Sequence, residues 1–128
     1  MSDLHLECGY LDVLNEEGAD VLILSGDVCE ARNAGKFLPF FTACSNAFKH
    51  VLYVYGNHEF YGDEYEEAKV KIQNTLQHLT NITILDDKFK TIDGVLFIGS
   101  TFWSDFNRGD PITMWQCGRV MNEEDAPL

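Results

Sequence analysis

The sequence is short of positive charge: 9 Lys and Arg stand against 21 Asp and Glu in 128 residues, a formal net charge of -12 at pH 7. Affinity for nucleic-acid backbones comes from clustered basic side chains, so a broad nucleic-acid-binding surface is excluded. A local cationic centre, such as bound metal, is not. Long hydrophobic runs are also missing. Val21 to Leu24 and Val51 to Tyr55 fall far below the ~20 apolar residues a helix needs to cross a bilayer, so no membrane association is expected. No secretory apolar region is visible either. The four cysteines, Cys8, Cys29, Cys44 and Cys117, form no C-x-x-C pair, which reads as reduced thiols in a cytoplasmic protein. Polar low-complexity segments are absent, and a hydrophobic share of 45% with 12% aromatics is that of a folding chain. Its length is that of a single domain, or part of one, spanning residues 1–128.

Three short aliphatic runs organise what is present. Val21-Leu-Ile-Leu24 ends at Ser25-Gly26-Asp27, Val51-Leu-Tyr-Val-Tyr55 ends at Gly56-Asn57-His58, and Val95-Leu-Phe-Ile98 ends at Gly99-Ser100-Thr101. Each reads as a buried strand that delivers polar residues from its C-terminal end. Between the first two, Phe37, Phe41, Cys44 and Phe48 recur at helical spacing, with Pro39 where a first turn tolerates it. Tyr65, Ala68, Ile72, Leu76 and Leu79 do the same between the second and third. Strand and helix alternate, which predicts an α/β sheet with parallel neighbours and a site beyond the carboxyl ends of the strands. Ile82 to Leu85 and Phe89 to Ile92 predict two further short strands, with Asp93-Gly94 turning into Val95. Arg108 to Leu128 has little period and reads as loop or frayed helix, ending in the acidic Asn122-Glu-Glu-Asp125. Ser2 to His5 reads as the exit of a strand, yet only Met1 stands where that strand's apolar residues belong.

The residues with chemistry gather at these strand ends. Asp3-Leu-His5 alternates a carboxylate and an imidazole along an extended segment, so both can face one divalent ion; a surface loop is the ordinary alternative. Gly26-Asp27 offers close backbone approach and two oxygens able to bridge cations, though an Asp after a strand is often only a helix cap. Gly56-Asn57-His58-Glu59 is rarer, and its plain alternative is a turn. The persuasive feature is their order, with the latter two each at the end of a predicted parallel strand.

In that order the motifs resemble those of the calcineurin-like metallophosphoesterases, a family whose pattern runs D-x-H, G-D, G-N-H-[D/E], then a later His and G-H-x-H. The resemblance covers about residues 2 to 62 and continues more weakly through Gly99 to Asp105, similar to bacterial and phage-type members. It implies mixed β-sheets flanked by helices, four layers α/β/β/α in the complete fold, of which the first strand and the C-terminal half are expected to lie outside this sequence. It also implies two divalent metal ions, Mn, Fe, Zn or Ni. Asp3 and His5 would hold the first, Asp27 would bridge both, and Asn57 would hold the second. Such a pair activates water and clamps the oxygens of a phosphate ester. By the same resemblance His58 would protonate the leaving oxygen or steady the phosphoryl group, and Glu30, three positions after Asp27, would orient it.

The family's later histidines have no counterpart, since His78 alone follows His58 and reads as a surface residue. His50 precedes its strand, at the end away from the predicted crevice. This predicts either a phosphoesterase whose ligands are completed by a C-terminal half or a protein partner, or a non-catalytic binding or regulatory module, or a fragment of the same fold. Among weaker features, Cys29 reads as a buried thiol rather than a soft ligand, and Asp63 to Glu67 as the solvated first turn of a helix. Trp103, Asn107 and Arg108 would line a substrate rim or an ordinary surface loop.

Overall fold

Unbroken branched-aliphatic runs suit strands covered on both faces, and the first two runs form the centre of a parallel sheet. In the computed structural model, which describes residues 1–120, β1 (Val21–Ser25), β2 (His50–Val54) and β3 (Ile82–Ile84) lie parallel in the order β1-β2-β3. Val21 registers with His50 and Ser25 with Val54, so β1 and β2 end level. Their exit loops, Gly26-Asp27 and Gly56-Asn57, therefore leave side by side. Residues 1 to 6 run along the outer edge of β1: Met1 N donates to Ile23 O (2.7 Å), Ser25 N to Met1 O (2.8 Å), and Asp3 N to Gly26 O (3.1 Å). The expected strand exit is thus docked beside the first of the two loops.

β4 (Lys88–Ile92) and β5 (Val95–Gly99) form a separate antiparallel hairpin. This corrects the expectation that Val95 to Ile98 continues the parallel sheet. The reason lies in the turn: Asp93 and Gly94 both have positive φ (47° and 80°), and a two-residue connection can join only antiparallel strands. The third parallel place goes to β3.

α1 (Leu38–Ala47) follows a 3-10 segment, Ala31–Phe37, and carries Pro39 in its first turn, where a missing N–H costs nothing. α2 (Tyr65–Leu76) is capped by the Glu64 carboxylate, which accepts from Glu66 N (3.0 Å) and Glu67 N (3.1 Å). It ends three residues earlier than the apolar stripe predicts, and Leu79 reaches the core from the turn beyond. Leu22, Leu24, Val51, Tyr53 and Tyr55 present one sheet face to Phe40, Phe41 and Cys44 of α1 and to Ala68, Ile72 and Leu76 of α2. On the other face Leu52 meets Leu85 and Ile92, with Val21, Val54 and Phe97 at the margin. The outcome is a mixed α/β fold in which two sheets meet and helices flank the parallel one.

The stretch from Arg108 is more ordered than loop. Phe106–Gly109 makes a left-handed turn, and α3 (Pro111–Val120) begins with proline at its first position. Asp110 caps it, accepting from Thr113 N and Thr113 Oγ1 at 2.8 Å each. Asp-Pro ahead of a helix is a start signal, and it outweighs the weak periodicity. The acidic residues 122–125 lie outside the described residues. Among the described residues no helix is long and apolar enough to cross a membrane.

Candidate metal centre

Two glycines bring the exit loops into contact. Gly26 has φ +83°, and a Cβ on it would sit 2.7 Å from Gly56 N; a Cβ on Gly56 would sit 2.1 Å from Asp27 Oδ1. Around this contact three side-chain-bearing residues adopt left-handed backbone: Asp3 (φ 53°), His5 (φ 43°) and Asp27 (φ 52°). Each such conformation costs on the order of 1–3 kcal/mol and gathers where a site requires it. His5 N is held there by Asp27 O at 3.0 Å, so the N-terminal segment and the first loop set one another's geometry.

Asp3, His5 and Asp27 offer ligand atoms that all lie within 4.8 Å of one another. Asp27 Oδ1 accepts from His58 N (2.9 Å), which orients the carboxylate. Asn57 donates its Nδ2 to Tyr61 Oη (2.8 Å), so its carbonyl Oδ1 remains to act as a ligand. Asp3, Asp27 and Asn57 line one cleft of about 440 Å³, whose far wall is Ile98 to Phe102. Two carboxylates, one imidazole and one amide carbonyl are a donor set suited to borderline divalent cations. The residues therefore fit a metal ion.

Three glutamates surround this set. Glu59 is fully buried, and burial pushes its carboxyl above the usual range, partly offset by the donors it accepts from. Those donors are Asp27 N (3.0 Å) and Gly56 N (2.8 Å) onto Oε2, with Val28 N (2.9 Å) and Tyr53 Oη (2.8 Å) onto Oε1. Glu30, the expected partner of His58, is engaged elsewhere. It accepts from Arg32 Nε (2.7 Å), Arg32 Nη2 (3.0 Å) and Asn33 Nδ2 (2.8 Å). The Arg32 guanidinium holds the Glu30 carboxyl below its ordinary value, and His58 adds a smaller pull in the same direction. The carboxylate in contact with His58 Nε2 belongs to Glu7, whose Oε1 also lies 3.4 Å from His5 Nδ1. His5 and His58 meet edge to face, with ring centroids 4.6 Å apart.

Other singled-out residues fall away from the cleft. His78 is exposed beyond the end of α2, and His50 opens β2 at the opposite end of the sheet. Asp63 is buried and paired with Lys71 rather than solvated, because the chain tucks under α2 before Glu64 caps it. Trp103 leans on Phe60 and Tyr65, at centroid distances of 5.7 and 6.3 Å. Asn107 and Arg108 sit exposed in the left-handed turn, and the cleft wall is formed instead by Ser100, Thr101 and Phe102. Thr101 Oγ1 donates to Tyr55 O (2.7 Å), tying the end of β5 to the end of β2. Cys29 lies in the core with its thiol pushed well above its usual range by burial, and Cys44 is pushed up to about 11 in the same way. Exposed Cys8 should therefore react promptly with a disulfide reagent and half-buried Cys117 more slowly, leaving Cys29 and Cys44 for denaturant. Counting thiols released over time checks this. Prompt modification of Cys29 would place it in the cleft instead.

Glu7 carried no signal in the sequence, and Glu59 stands in the G-N-H-[D/E] pattern with no role read for it. Glu7 continues the spacing Asp3, His5, Glu7, but Asp3 and His5 have left-handed backbone and Glu7 lies in a turn closed by Cys8 N on His5 O (2.7 Å), so the turn and not strand alternation brings it to His58. Nothing in Gly56-Asn57-His58-Glu59 marks the glutamate as buried.

This geometry, two glycine-closed loops at the ends of adjacent parallel strands with Asp and Asn donors in one cleft and the His5 imidazole beside Asp3 and Asp27, agrees with comparison against known proteins. The calcineurin-like phosphoesterase family model matches residues 1–122, and the chain belongs to that family. It is 29% identical over 126 residues to an uncharacterized protein of Acanthamoeba polyphaga mimivirus, covering 84% of this chain and 44% of that protein. It is 34% identical over 112 residues to a UPF0046 protein of Caenorhabditis elegans, covering 80% of this chain and 37% of that one. The chain thus spans less than half the length of these curated relatives.

Proposed function

We propose that Asp3, His5, Asp27 and Asn57 hold divalent metal ions in the service of phosphate-ester hydrolysis, with Asp27 shared between two cations. The observation that carries this reading is the convergence of Asp3, His5 and Asp27 ligand atoms within 4.8 Å. Bound cations would supply Lewis-acid charge to the phosphoryl oxygens and lower the pKa of water. The chain's own part is to place ligands, to receive the substrate in the cleft between Asn57 and Phe102, and to hold a proton for the leaving oxygen on His58. Glu7 touches His58 directly and steadies its ring; Glu30, bound to Arg32, acts on it only through space. Mn, Fe, Zn and Ni all suit these donors, and Mn is the first to supply. The remaining ligands would come from further polypeptide or a partner protein. Four free thiols suit a reducing compartment such as the cytoplasm.

Hydrolysis of p-nitrophenyl phosphate and bis(p-nitrophenyl) phosphate, with and without added Mn²⁺, tests the reading in a protein of the relatives' full length. Turnover that depends on the cation and stops with a chelator supports it. Cation-independent turnover, or none in a protein that also carries a downstream G-H-x-H, contradicts it.

A further inference from the structure

We infer that Glu59 is a positioning residue for the metal centre: its buried carboxylate clamps the Asp27 loop to the Asn57 loop and sets the site's affinity for metal. The inference rests on the proposed metal-binding role of Asp27 and Asn57 and goes beyond it. Each oxygen of Glu59 takes one donor from a loop bearing a candidate ligand and a second donor besides. Oε2 joins Asp27 N (3.0 Å) to Gly56 N (2.8 Å), so a single atom bridges residues from the ends of β1 and β2. Oε1 accepts from Val28 N (2.9 Å), next in the first loop, and from Tyr53 Oη (2.8 Å), fixed in the core on β2. With the side chain fully buried, no water substitutes for these partners.

Three of these partners are backbone N–H groups, which require acceptors. A carboxylate meets four donors with two oxygens, whereas an amide replaces one oxygen by an NH₂ that donates. In Glu59→Gln the NH₂ faces Asp27 N and Gly56 N in one orientation; in the other it faces Val28 N, beside Tyr53 Oη, a hydroxyl that can turn and accept. Both orientations push one loop away. Asp27 is the more sensitive, because it already sits at φ 52° and its Oδ1 meets His58 N across the same contact. Oriented partners behind metal ligands typically contribute about 10–100-fold in metal affinity.

The measurement is calorimetric titration with MnCl₂ of a protein of the relatives' full length that carries these residues, as wild type, Glu59→Gln and Ile72→Val, the last loosening the core under α2 without touching either loop. Glu59→Gln is expected to raise the Mn²⁺ Kd about 10–100-fold, while Ile72→Val lowers Tm and leaves the Kd unchanged. Amide exchange at Asp27, Val28 and Gly56 should accelerate in Glu59→Gln alone. Should circular dichroism show Glu59→Gln unfolded, Glu59→Asp takes its place. It keeps an acceptor-only head group one methylene short, and a Kd raised about 10-fold is expected. A folded Glu59 variant that binds Mn²⁺ as tightly as wild type overturns the positioning role, and so does a Kd for Ile72→Val that rises as much. A wild-type protein of that length that binds no Mn²⁺ overturns the metal reading itself, and the role of Glu59 falls with it.

Discussion

Asp27→Asn is expected to raise the Kd for Mn²⁺ by more than about 100-fold, since changes behind the ligands alone cost 10–100-fold, and to leave the fold intact. Asparagine keeps the carbonyl-type oxygen that accepts from His58 N, so the hydrogen bond between the loops survives. It removes the charge, and with it the oxygen able to serve a second cation. Asp3 and Asp27 crowd each other in a chain of net charge -12, so removing one carboxylate relieves repulsion in the metal-free protein. Without metal, Tm should therefore hold or rise slightly. With metal at about 100 times the wild-type Kd, the wild-type chain gains roughly 2.7 kcal/mol by mass action and the variant gains almost nothing. Thermal denaturation with and without MnCl₂ reads both effects. A variant that keeps the metal-dependent rise in Tm removes Asp27 from the ligand set.

Gly56→Ala is expected to be the most damaging small change at the site. The new Cβ would sit 2.1 Å from Asp27 Oδ1, a side-chain end held by His58 N, and 2.5 Å from Asp27 N, which is backbone. One loop must move. Overpacking of this kind costs about 1–3 kcal/mol, and the movement falls on the carboxylate proposed to bridge the metals, so Mn²⁺ affinity should fall at least about 10-fold as well. Gly35→Ala provides the contrast. Nothing lies within 4 Å of a Cβ there, so the substitution should be neutral or stabilise by up to about 1 kcal/mol. Urea denaturation compares the two. Equal stability of Gly56→Ala and wild type would mean the loops are not in contact as described.

Where a local rule decides the structure, the sequence was readable. Continuous aliphatic runs marked β1 and β2, the spacing of Phe41 and Cys44 marked α1, and Asp93-Gly94 marked the hairpin. The same Asp93-Gly94 turn contradicts a parallel third strand at Val95, and the local signal is the one that prevailed. Asp110-Pro111 shows the same weighting, a short start signal that prevails over the weak periodicity of residues 112 to 120. The candidate ligands were legible because motif and topology coincide: Asp3, Asp27 and Asn57 each stand at or beside the end of a strand and line one cleft. The groups behind them were not, because their roles arise from contacts between segments far apart in sequence. Glu59 reaches back 31 and 32 residues to Val28 and Asp27, and Glu7 meets His58 across 51. Glu30 looked like the partner of His58 by position, but Arg32, two residues on, engages it first.

Anomalous diffraction at the manganese edge, from crystals grown with MnCl₂, tests the metal centre most directly. The expected result is a peak enclosed by the side chains of Asp3, His5 and Asp27, with any second peak on the Asn57 side of Asp27. A peak only among His5, Glu7 and His58, the other cluster whose ligand atoms converge among the described residues, would contradict it, as would no peak at all.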